Sequence, residues 1–500
     1  MSASATKKKG RVGRTAVWFD DRFSGSHFVR TALNKIFPDH WSFMLGELAL
    51  YSFVVLIVTG VYLTFFFNPS LEQTIYDGSY APLRGVKMSV AYESTLDISF
   101  DVRAGMVMRQ MHHWAAIIFI GAIVVHLCRV FFTGAFRRPR ELNWIVGCTL
   151  LILAILNGFA GYSLPDDQLS GTGLRIMYSI LLSIPLLGTW AAFLLFGGEF
   201  PSDQIISRLY GIHILMVPAL IAIVLGAHLA IMWHQKHTQF KIEGATEDNV
   251  VGSPVWPTYA AKSMGLLFMV AGVTAALGGL AQINPIWIYG PFVPEKVSSA
   301  SQPDWYMGWL EGALRLMPSW EWRGWGYEIP NPFFPGVLLA GFVFSALFLW
   351  PFIEARFTHD REPHNLCDRP RDRPVRTALG AATLSFLLVL FLAGATDVLA
   401  VEFSLSVNSI VWVFRLLIFL VPLVTALMTH RICKELSAAD GGRRKPPELI
   451  DRSPEGGYDA HPAPLPVGHP GPDELPEPLP EAVEAGDHGT QSSSPEPSSR

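Results

Sequence analysis

Long apolar stretches alternate with short polar connections along most of this chain. A membrane-spanning helix needs about 20 apolar residues to cross roughly 30 Å of hydrocarbon. Eight stretches are long enough: 42–67, 106–133, 144–164, 205–233, 263–283, 334–353, 378–400 and 408–430. A ninth apolar run, 186–196, is too short and is interpreted as an interfacial helix. The pattern predicts an all-α membrane protein with eight transmembrane helices, numbered here as spans one to eight.

The distribution of basic residues predicts the orientation of these spans in the membrane. With the basic N-terminus in the cytoplasm, the cytoplasmic connections are 129–144, 234–255 and 354–376, and the last carries six Arg. The outer connections hold fewer basic residues, as the positive-inside rule requires. Counting 186–196 as a span would place the six-Arg segment outside. We therefore expect both termini in the cytoplasm, and no cleaved signal peptide, because no apolar h-region follows the basic residues.

The composition supports this class and suggests four regions. Half of the residues are hydrophobic and 16% are charged, well below the quarter typical of soluble proteins. The net charge of −4 argues against nucleic acid as a partner. We expect a basic cytoplasmic segment with an amphipathic helix (1–40), a four-helix bundle (41–240) and a C-terminal four-helix region (241–435) with an external loop (282–333). The Pro-rich acidic remainder (436–500) is predicted to be a disordered cytoplasmic tail.

Four histidines on spans two and four are the most informative residues. His112 and His126 are 14 residues apart, about 40° short of four helical turns, so they share one face about 21 Å apart. His213 and His228 are 15 apart, about 60° beyond four turns, and a kink at Pro218 is expected to absorb part of the difference. Both spans run inward, so His112 pairs with His213 at the outer depth and His126 with His228 at the inner depth.

Two stacked histidine pairs predict two noncovalent b-type hemes with bis-imidazole ligation. A single intramembrane His more often packs or relays protons, but four in matched pairs make that interpretation improbable. A His-only zinc or copper site competes, yet a pair at each depth leaves coordination positions empty and suits a flat porphyrin better. The four cysteines form no CxxC pair, which excludes a covalent c-type heme motif. His113, rotated by about 140° from His126, is expected to face elsewhere.

Arginines and glycines complete the predicted heme sites. Three arginines lie three to five residues from a proposed ligand: Arg109, Arg129 and Arg208. They are placed to bind heme propionates, although snorkelling to the interface is an alternative. Two glycine pairs repeat at the 14-residue period: Gly46 with Gly60 on span one, and Gly147 with Gly161 on span three. Glycine lets a flat macrocycle approach the backbone, and helix packing is the competing explanation.

Together these features resemble cytochrome b of the respiratory quinol:cytochrome c oxidoreductases, the cytochrome bc complexes, over roughly residues 30–435. The motifs are WSFMLGELALYSFVVLIVTG, the flanked His pair of span two, GFAGYSLPDDQ, RLYGIH through GAHL, and QPDWY. In QPDWY, Asp304 stands where the family has Glu, a variant similar to the actinobacterial branch. The resemblance implies an outer low-potential heme on His112 and His213, and an inner high-potential heme on His126 and His228.

The resemblance also implies a function and partners. As the cytochrome b subunit, the chain would oxidise quinol, by the actinobacterial likeness menaquinol, at the outer face. One electron would pass to a Rieske iron–sulfur protein and the other through both hemes to a quinone at the cytoplasmic face, contributing to the proton motive force. Expected partners are a cytochrome c subunit (c1 or diheme cc), membrane lipid, a second copy of the complex and a cytochrome c oxidase in a supercomplex. The expected location is the cell inner (plasma) membrane.

The outer loop is predicted to close the quinol pocket. Residues 304–317 indicate an amphipathic helix, and Asp304 is the candidate proton acceptor, with helix N-capping as an alternative role. Glu311 is a second candidate carboxylate, and Tyr306 would donate a hydrogen bond to the quinol. The remaining pocket candidates are Pro303, Trp305 and Gly171. Interfacial anchoring is the alternative for most of the loop's Trp residues.

The inner quinone site is less defined. His40 and His234 lie near the right depth, although interfacial His residues are more often only solvated. Lys262 and Ser263 stand where mitochondrial family members place a quinone-binding Asp, and Asp166 stands where a Trp is usual after Leu-Pro. Two other functions compete: a diheme membrane anchor of a dehydrogenase that relays electrons to quinone, and a transporter with His proton relays.

Overall fold

The computed structural model describes residues 17–18, 20, 22, 25–296, 302–441, 448–452 and 458–462. Within this part of the chain, eight helices are long and apolar enough to cross a membrane: Trp41–Thr64, Gly105–Phe132, Glu141–Tyr162, Ile205–Gln235, Val255–Leu280, Phe334–Thr358, Pro374–Gly394 and Val407–Ala439. The predicted class and the eight spans are therefore confirmed. The largest differences are at span eight, which ends nine residues later than predicted, at Ala439, and at span five, which begins eight residues earlier with an irregular π segment, Val255–Tyr259.

The first four spans share one apolar core. Phe53, Phe119, Leu150 and Ile221, one from each of these spans, belong to a single buried cluster. Tyr306 of the external loop belongs to the same cluster. Because that loop lies between spans five and six, its insertion brings the QPDWY motif into contact with the N-terminal bundle.

Span four contains one extra residue in its helical repeat. Ile212–Met216 forms a π-helical turn, in which the Val217 N–H bonds to the Ile212 carbonyl. A π-turn accommodates one more residue than an α-turn, so a 15-residue separation there matches 14 residues on span two. Pro218 follows and lacks the N–H that a regular helix would use. The π-turn ends two residues before Pro218 and accommodates the extra residue for which the sequence analysis expected a kink at Pro218.

Shorter elements connect the spans. The apolar run predicted to be interfacial forms the nine-residue helix Gly188–Phe196, too short to span. The other short helices are Gly25–Leu33, Val90–Phe100, Gln168–Leu182, Ile286–Tyr289, Gly308–Leu316 and Thr396–Glu402, with 3-10 turns at Trp41–Met44, Ala81–Leu83, Trp305–Met307 and Pro370–Asp372. Three antiparallel strand pairs join Ile36–Phe37 to Ser253–Pro254, Gln73–Ile75 to Lys87–Ser89, and Trp322–Gly324 to Tyr327–Ile329.

Residues Ala438–Arg500 form a separate unit. Within it, strands Glu448–Arg452 and Tyr458–Pro462 pair antiparallel, with Ile450 opposite Ala460. Most of the segment predicted to be a disordered tail lies outside the described residues, as does most of the basic N-terminus, so both expectations stay predictions.

Candidate functional site

The outer histidine pair meets between spans two and four. The ring centroids of His112 and His213 are 6.0 Å apart, and the ring planes are inclined by 76°. Metal–imidazole bonds are about 2 Å long, so this separation leaves room for one iron between the rings. Both side chains line the same cavity of about 240 Å³. The geometry therefore fits a bis-histidine heme site at the outer depth.

Hydrogen bonds fix which nitrogen each outer histidine presents. The Thr59 hydroxyl donates to the Val55 carbonyl at 2.7 Å, and its oxygen lies 2.9 Å from Nδ1 of His112. That oxygen is thus the acceptor of the Nδ1–H. Nδ1 of His213 lies 3.0 Å from the Asn157 carbonyl, which can only accept. Because both Nδ1 atoms donate to the protein, both Nε2 atoms are unprotonated and able to bind a metal.

The inner histidine pair is held less firmly. His126 and His228 are close enough to interact electrostatically. Their buried Nδ1 atoms lack a hydrogen-bond partner among the described residues. His228 interacts with the backbone of Asn143, but without the geometry of a full hydrogen bond.

Each predicted glycine packs against one of the four histidine rings. A Cβ on Gly60 or Gly46 would lie 3.2 or 3.3 Å from the nearest ring carbon of His112 or His126. On span three, a Cβ on Gly147 would lie 3.5 Å from Cε1 of His228, and one on Gly161 would lie under 3.0 Å from Cε1 of His213. The pairing agrees with the predicted depths. These glycines make room for the imidazoles themselves, a contact that the sequence interpretation did not include.

The predicted propionate-binding arginines divide into two groups. Nε atoms of Arg109 and Arg129 are buried without a hydrogen-bond partner in the described residues, and Arg109 lines the outer cavity. Buried unpaired guanidinium donors suit a carboxylate ligand. Arg208 does not line that cavity: it bonds to the Leu194 carbonyl and, at 2.7 Å, to Oε1 of Gln204. The end of helix Gly188–Phe196 engages the Arg208 guanidinium, and the propionate role of Arg208 stays a prediction.

The outer cavity also contains the carboxylate of the QPDWY motif. Asp304 Oδ1 lies 2.9 Å from Nε2 of His113, and Asp304 Oδ2 accepts a hydrogen bond from the Tyr306 hydroxyl at 3.2 Å. Burial holds the pKa of Tyr306 well above its ordinary value, so its hydroxyl remains a donor. Asp304 precedes the 3-10 turn Trp305–Met307, but its side chain makes no capping bond.

Glu311 belongs to a different network. It pairs with Arg315, whose Nε lies 3.0 Å from Oε1, and Arg315 also reaches Asp397 at 2.8 Å. Burial raises the pKa of Glu311, which Arg315 opposes. Glu311 does not line the cavity that holds Asp304. The structure therefore separates the two carboxylates that the sequence placed together.

The remaining predicted quinone contacts are scattered. Pro303 is half-buried beside Asp304, and the ring of Trp305 lies near Gly121 of span two. A Cβ on Gly171 would overlap the ring of Phe292, so this glycine packs within the outer loops. On the inner side, His40 Nδ1 bonds to Ser42 and its ring meets Phe240, whereas His234 is exposed. These placements leave the quinone roles as predictions.

Comparison with known proteins decides the family. Residues 117–291 match the family described as "Cytochrome b(N-terminal)/b6/petB". A protein of Mycobacterium leprae named cytochrome bc1 complex cytochrome b subunit is 51% identical over 486 residues, with 94% of this chain and 88% of that protein covered. This chain belongs to the cytochrome b family of bc1 complexes. The resemblance found in the sequence is confirmed.

Further comparisons agree with this cytochrome b assignment. A Streptomyces coelicolor protein of the same name is 48% identical over 459 residues, covering 91% of this chain and 84% of that protein. A solved structure named hyperthermophilic respiratory Complex III has the same fold, with a TM-score of 0.62, 21% identity, and coverage of 83% and 99% of the two chains. The chain is a multi-pass inner-membrane subunit of a bc1 complex, a quinol–cytochrome c oxidoreductase of the respiratory chain, and its family implies a heme cofactor.

Sequence reasoning missed His113 as a functional residue. His113 was expected to face elsewhere than the heme ligands, but it lines the same cavity as His112 and His213, and its ring meets Asp304 across 191 residues of sequence. The adjacent His-His dipeptide offered the only signal in the sequence. The sequence gives no indication of its partner Asp304, because their contact depends on how the loop carrying QPDWY packs against span two.

Proposed function

We propose that this cytochrome b oxidises quinol, by its actinobacterial likeness menaquinol, in the outer cavity. One electron leaves to a Rieske iron–sulfur protein, and the other crosses to a quinone at the cytoplasmic face, which contributes to the proton motive force. Two noncovalent b hemes, held by His112 with His213 and by His126 with His228, supply one-electron transfer when bound. One observation carries the proposal: the outer histidine pair and Asp304 line a single cavity.

The residues of the cavity divide the chemistry between them. Quinol oxidation releases two electrons and two protons, so each proton needs an acceptor near the quinol oxygens. Asp304 is the first acceptor, and His113 and Tyr306 hold its two carboxylate oxygens in place. Arg109, with its buried Nε unpaired among described residues, holds a propionate of the outer heme. Glu311 lies outside this cavity, so it is not needed for the first proton.

The proposed complex contains partners that this chain cannot replace. The sequence holds no CxxCH motif and no paired cysteines that would bind an iron–sulfur cluster. We therefore include a Rieske protein and a cytochrome c subunit (c1 or diheme cc), with the complex forming a homodimer in lipid and joining a cytochrome c oxidase. A diheme anchor that only relays electrons needs no outer quinol cavity, so the position of Asp304 favours quinol oxidation over that alternative.

The variant Asp304→Asn tests the proposed site. Asn keeps the size of the side chain but cannot accept a proton at neutral pH, so quinol:cytochrome c reductase activity of the purified complex should fall about 100-fold. Heme content should stay unchanged. The control is Glu328→Gln, an exposed carboxylate paired with Arg323 on the outer hairpin, which should keep full activity. Wild-type turnover by Asp304→Asn would overturn the role of Asp304.

A further inference from the structure

A half-buried carboxylate lies between spans one and five at their inner ends. Glu47 accepts hydrogen bonds on both oxygens: Tyr259 donates to Oε1, and Ser263 donates to Oε2 at 2.6 Å. The Ser263 hydroxyl also bonds to the hydroxyl of Tyr51. Tyr259, Glu47, Ser263 and Tyr51 thus form one continuous chain of exchangeable protons, which we call the inner hydroxyl chain.

The inner hydroxyl chain has an exposed ion pair and a glycine of the inner histidine site as its neighbours in sequence. One residue before Ser263, Lys262 forms an ion pair with Asp39, and these two side chains are 44% and 46% exposed. On the other side, a Cβ on Gly46 would lie 3.3 Å from Cε1 of His126. Successive helical residues are rotated by about 100°, so span one presents residue 46 to the inner histidine and residue 47 to span five. Glu47 is therefore next in sequence to the glycine that packs on His126, and its carboxylate is bonded to span five, whose neighbouring Lys262 is exposed.

We propose that Glu47 and the inner hydroxyl chain deliver cytoplasmic protons to the quinone that is reduced beside the inner histidine pair. This inference rests on the proposed function. Reduction of a quinone to a quinol takes up two electrons and two protons and forms two O–H bonds on the former carbonyl oxygens. The two electrons come from two quinols oxidised in turn in the outer cavity, one electron from each, and the two protons enter from the cytoplasm through Glu47.

The chemistry of the four groups suits this role. A carboxylic acid and three hydroxyls can each donate and accept a hydrogen bond, so a proton that leaves one end can be replaced from the other. Ionisable residues inside membrane segments are expensive and commonly mark proton paths. The competing explanation is that Glu47 only joins two helices through hydrogen bonds. The two explanations differ in whether the carboxyl proton must move.

The variant Glu47→Gln separates these explanations, because Gln keeps hydrogen-bonding capacity but carries no transferable acid proton. In the purified complex, a pulse of quinol should still reduce both hemes. Reoxidation of the inner heme by added quinone should slow about 100-fold, with a larger solvent deuterium effect than in the wild type. Glu47→Asp, which restores a carboxyl, should recover part of the rate.

Tyr62→Phe is the matched control. Tyr62 lies at the opposite end of span one, and its hydroxyl donates to the Arg103 carbonyl at 2.6 Å; its loss should leave reoxidation unchanged. Reoxidation at the wild-type rate in Glu47→Gln with full heme content would overturn the inference. If Glu47→Gln loses heme, Tyr259→Phe decides: slowed reoxidation supports the relay and a wild-type rate overturns it. Failure of quinol to reduce the hemes of the wild type would instead overturn the proposed function.

Discussion

The outer and inner histidine pairs are built on one repeat but are held differently. Glycines recur at 14 residues on spans one and three, and each packs on a histidine ring. Asn143 and Asn157 recur at the same period, and the backbone of each faces a histidine of span four. The repeat breaks at two positions. Thr59 bonds to His112, whereas the equivalent residue 14 positions earlier is Leu45, an apolar residue. Nδ1 of His213 bonds to the Asn157 carbonyl, whereas Nδ1 of His228 lacks full hydrogen-bond geometry with Asn143.

These two differences in hydrogen bonding have an electrostatic consequence. A ligand histidine that donates its other N–H to an acceptor becomes more basic. A more basic ligand stabilises the oxidised iron and lowers the potential of the heme. Both outer histidines donate such bonds, while Nδ1 of His126 and His228 has no partner in the described residues. The comparison therefore predicts a lower heme potential at the outer pair than at the inner pair, which is the order that the family resemblance implies.

The largest expected effect concerns the glycines of span three. A Cβ on Gly161 would lie under 3.0 Å from Cε1 of His213, closer than real Cβ atoms come, whereas one on Gly147 would make an ordinary 3.5 Å contact with His228. Gly161→Ala should displace His213 and reduce the heme content from two per chain to about one. Gly147→Ala is the matched control and should keep both hemes. Equal heme loss in the two variants, measured by pyridine hemochrome, would contradict this difference.

Thr59→Val tests the hydrogen bond that distinguishes the outer pair. Val has the shape of Thr but cannot accept the Nδ1–H of His112. Loss of a bond that favours the oxidised heme by about 1 kcal/mol should raise the outer potential by about 40 mV. Redox titration of the purified complex measures this shift, and the inner potential should not change. An unchanged outer potential would contradict the claim that the Thr59 hydrogen bond lowers the potential of the outer heme.

Leu45→Thr is the reciprocal test at the inner pair. A hydroxyl at this position gives Nδ1 of His126 an acceptor, provided that the side chain adopts the rotamer of Thr59. We expect the inner potential to fall by less than about 40 mV, because the new bond forms at a site not shaped for it. A rise in the inner potential would contradict the proposed direction.

A smaller expected effect concerns the pH dependence of stability, which differs between a carboxylate on the outer side of the membrane and one on the cytoplasmic side. Burial raises the pKa of Asp166 to about 7, although the Ser89 hydroxyl donates to it at 2.6 Å and opposes the shift. The hydrogen bond from Lys262 instead lowers the pKa of Asp39 on the cytoplasmic side. Between its unfolded value of 3.8 and about 7, folded Asp166 binds more proton than the unfolded chain, so stability falls as the pH rises.

Asp166→Asn should remove that part of the pH dependence. The wild-type complex should lose thermal midpoint between pH 5 and pH 8. In Asp166→Asn this loss should be smaller by roughly 2 °C or more. The matched change Asp39→Asn should not produce this improvement. A wild-type pH profile in Asp166→Asn would show that Asp166 does not ionise in this range.

Local periodicity explains which parts of the site could be predicted from the sequence. The histidine pairs and their glycines follow from residue spacing along single helices, so their depths and partners emerged correctly. The π-turn before Pro218 was not foreseen, because a 15-residue spacing is compatible with either a kink or an extra residue. The contact of His113 with Asp304 depends on how a distant loop inserts. The contacts of Arg208 likewise depend on a separate short helix, which engages its guanidinium.

The central claim is that four imidazoles hold two hemes across the membrane. The most direct test is the pyridine hemochrome content of the purified protein, wild type and His228→Ala, together with its reduced-minus-oxidised spectrum. We predict two noncovalent b hemes in the wild type and about one in His228→Ala, with the outer heme retained. Unchanged heme content in His228→Ala, or a wild type without a b-type α-band, would contradict the account.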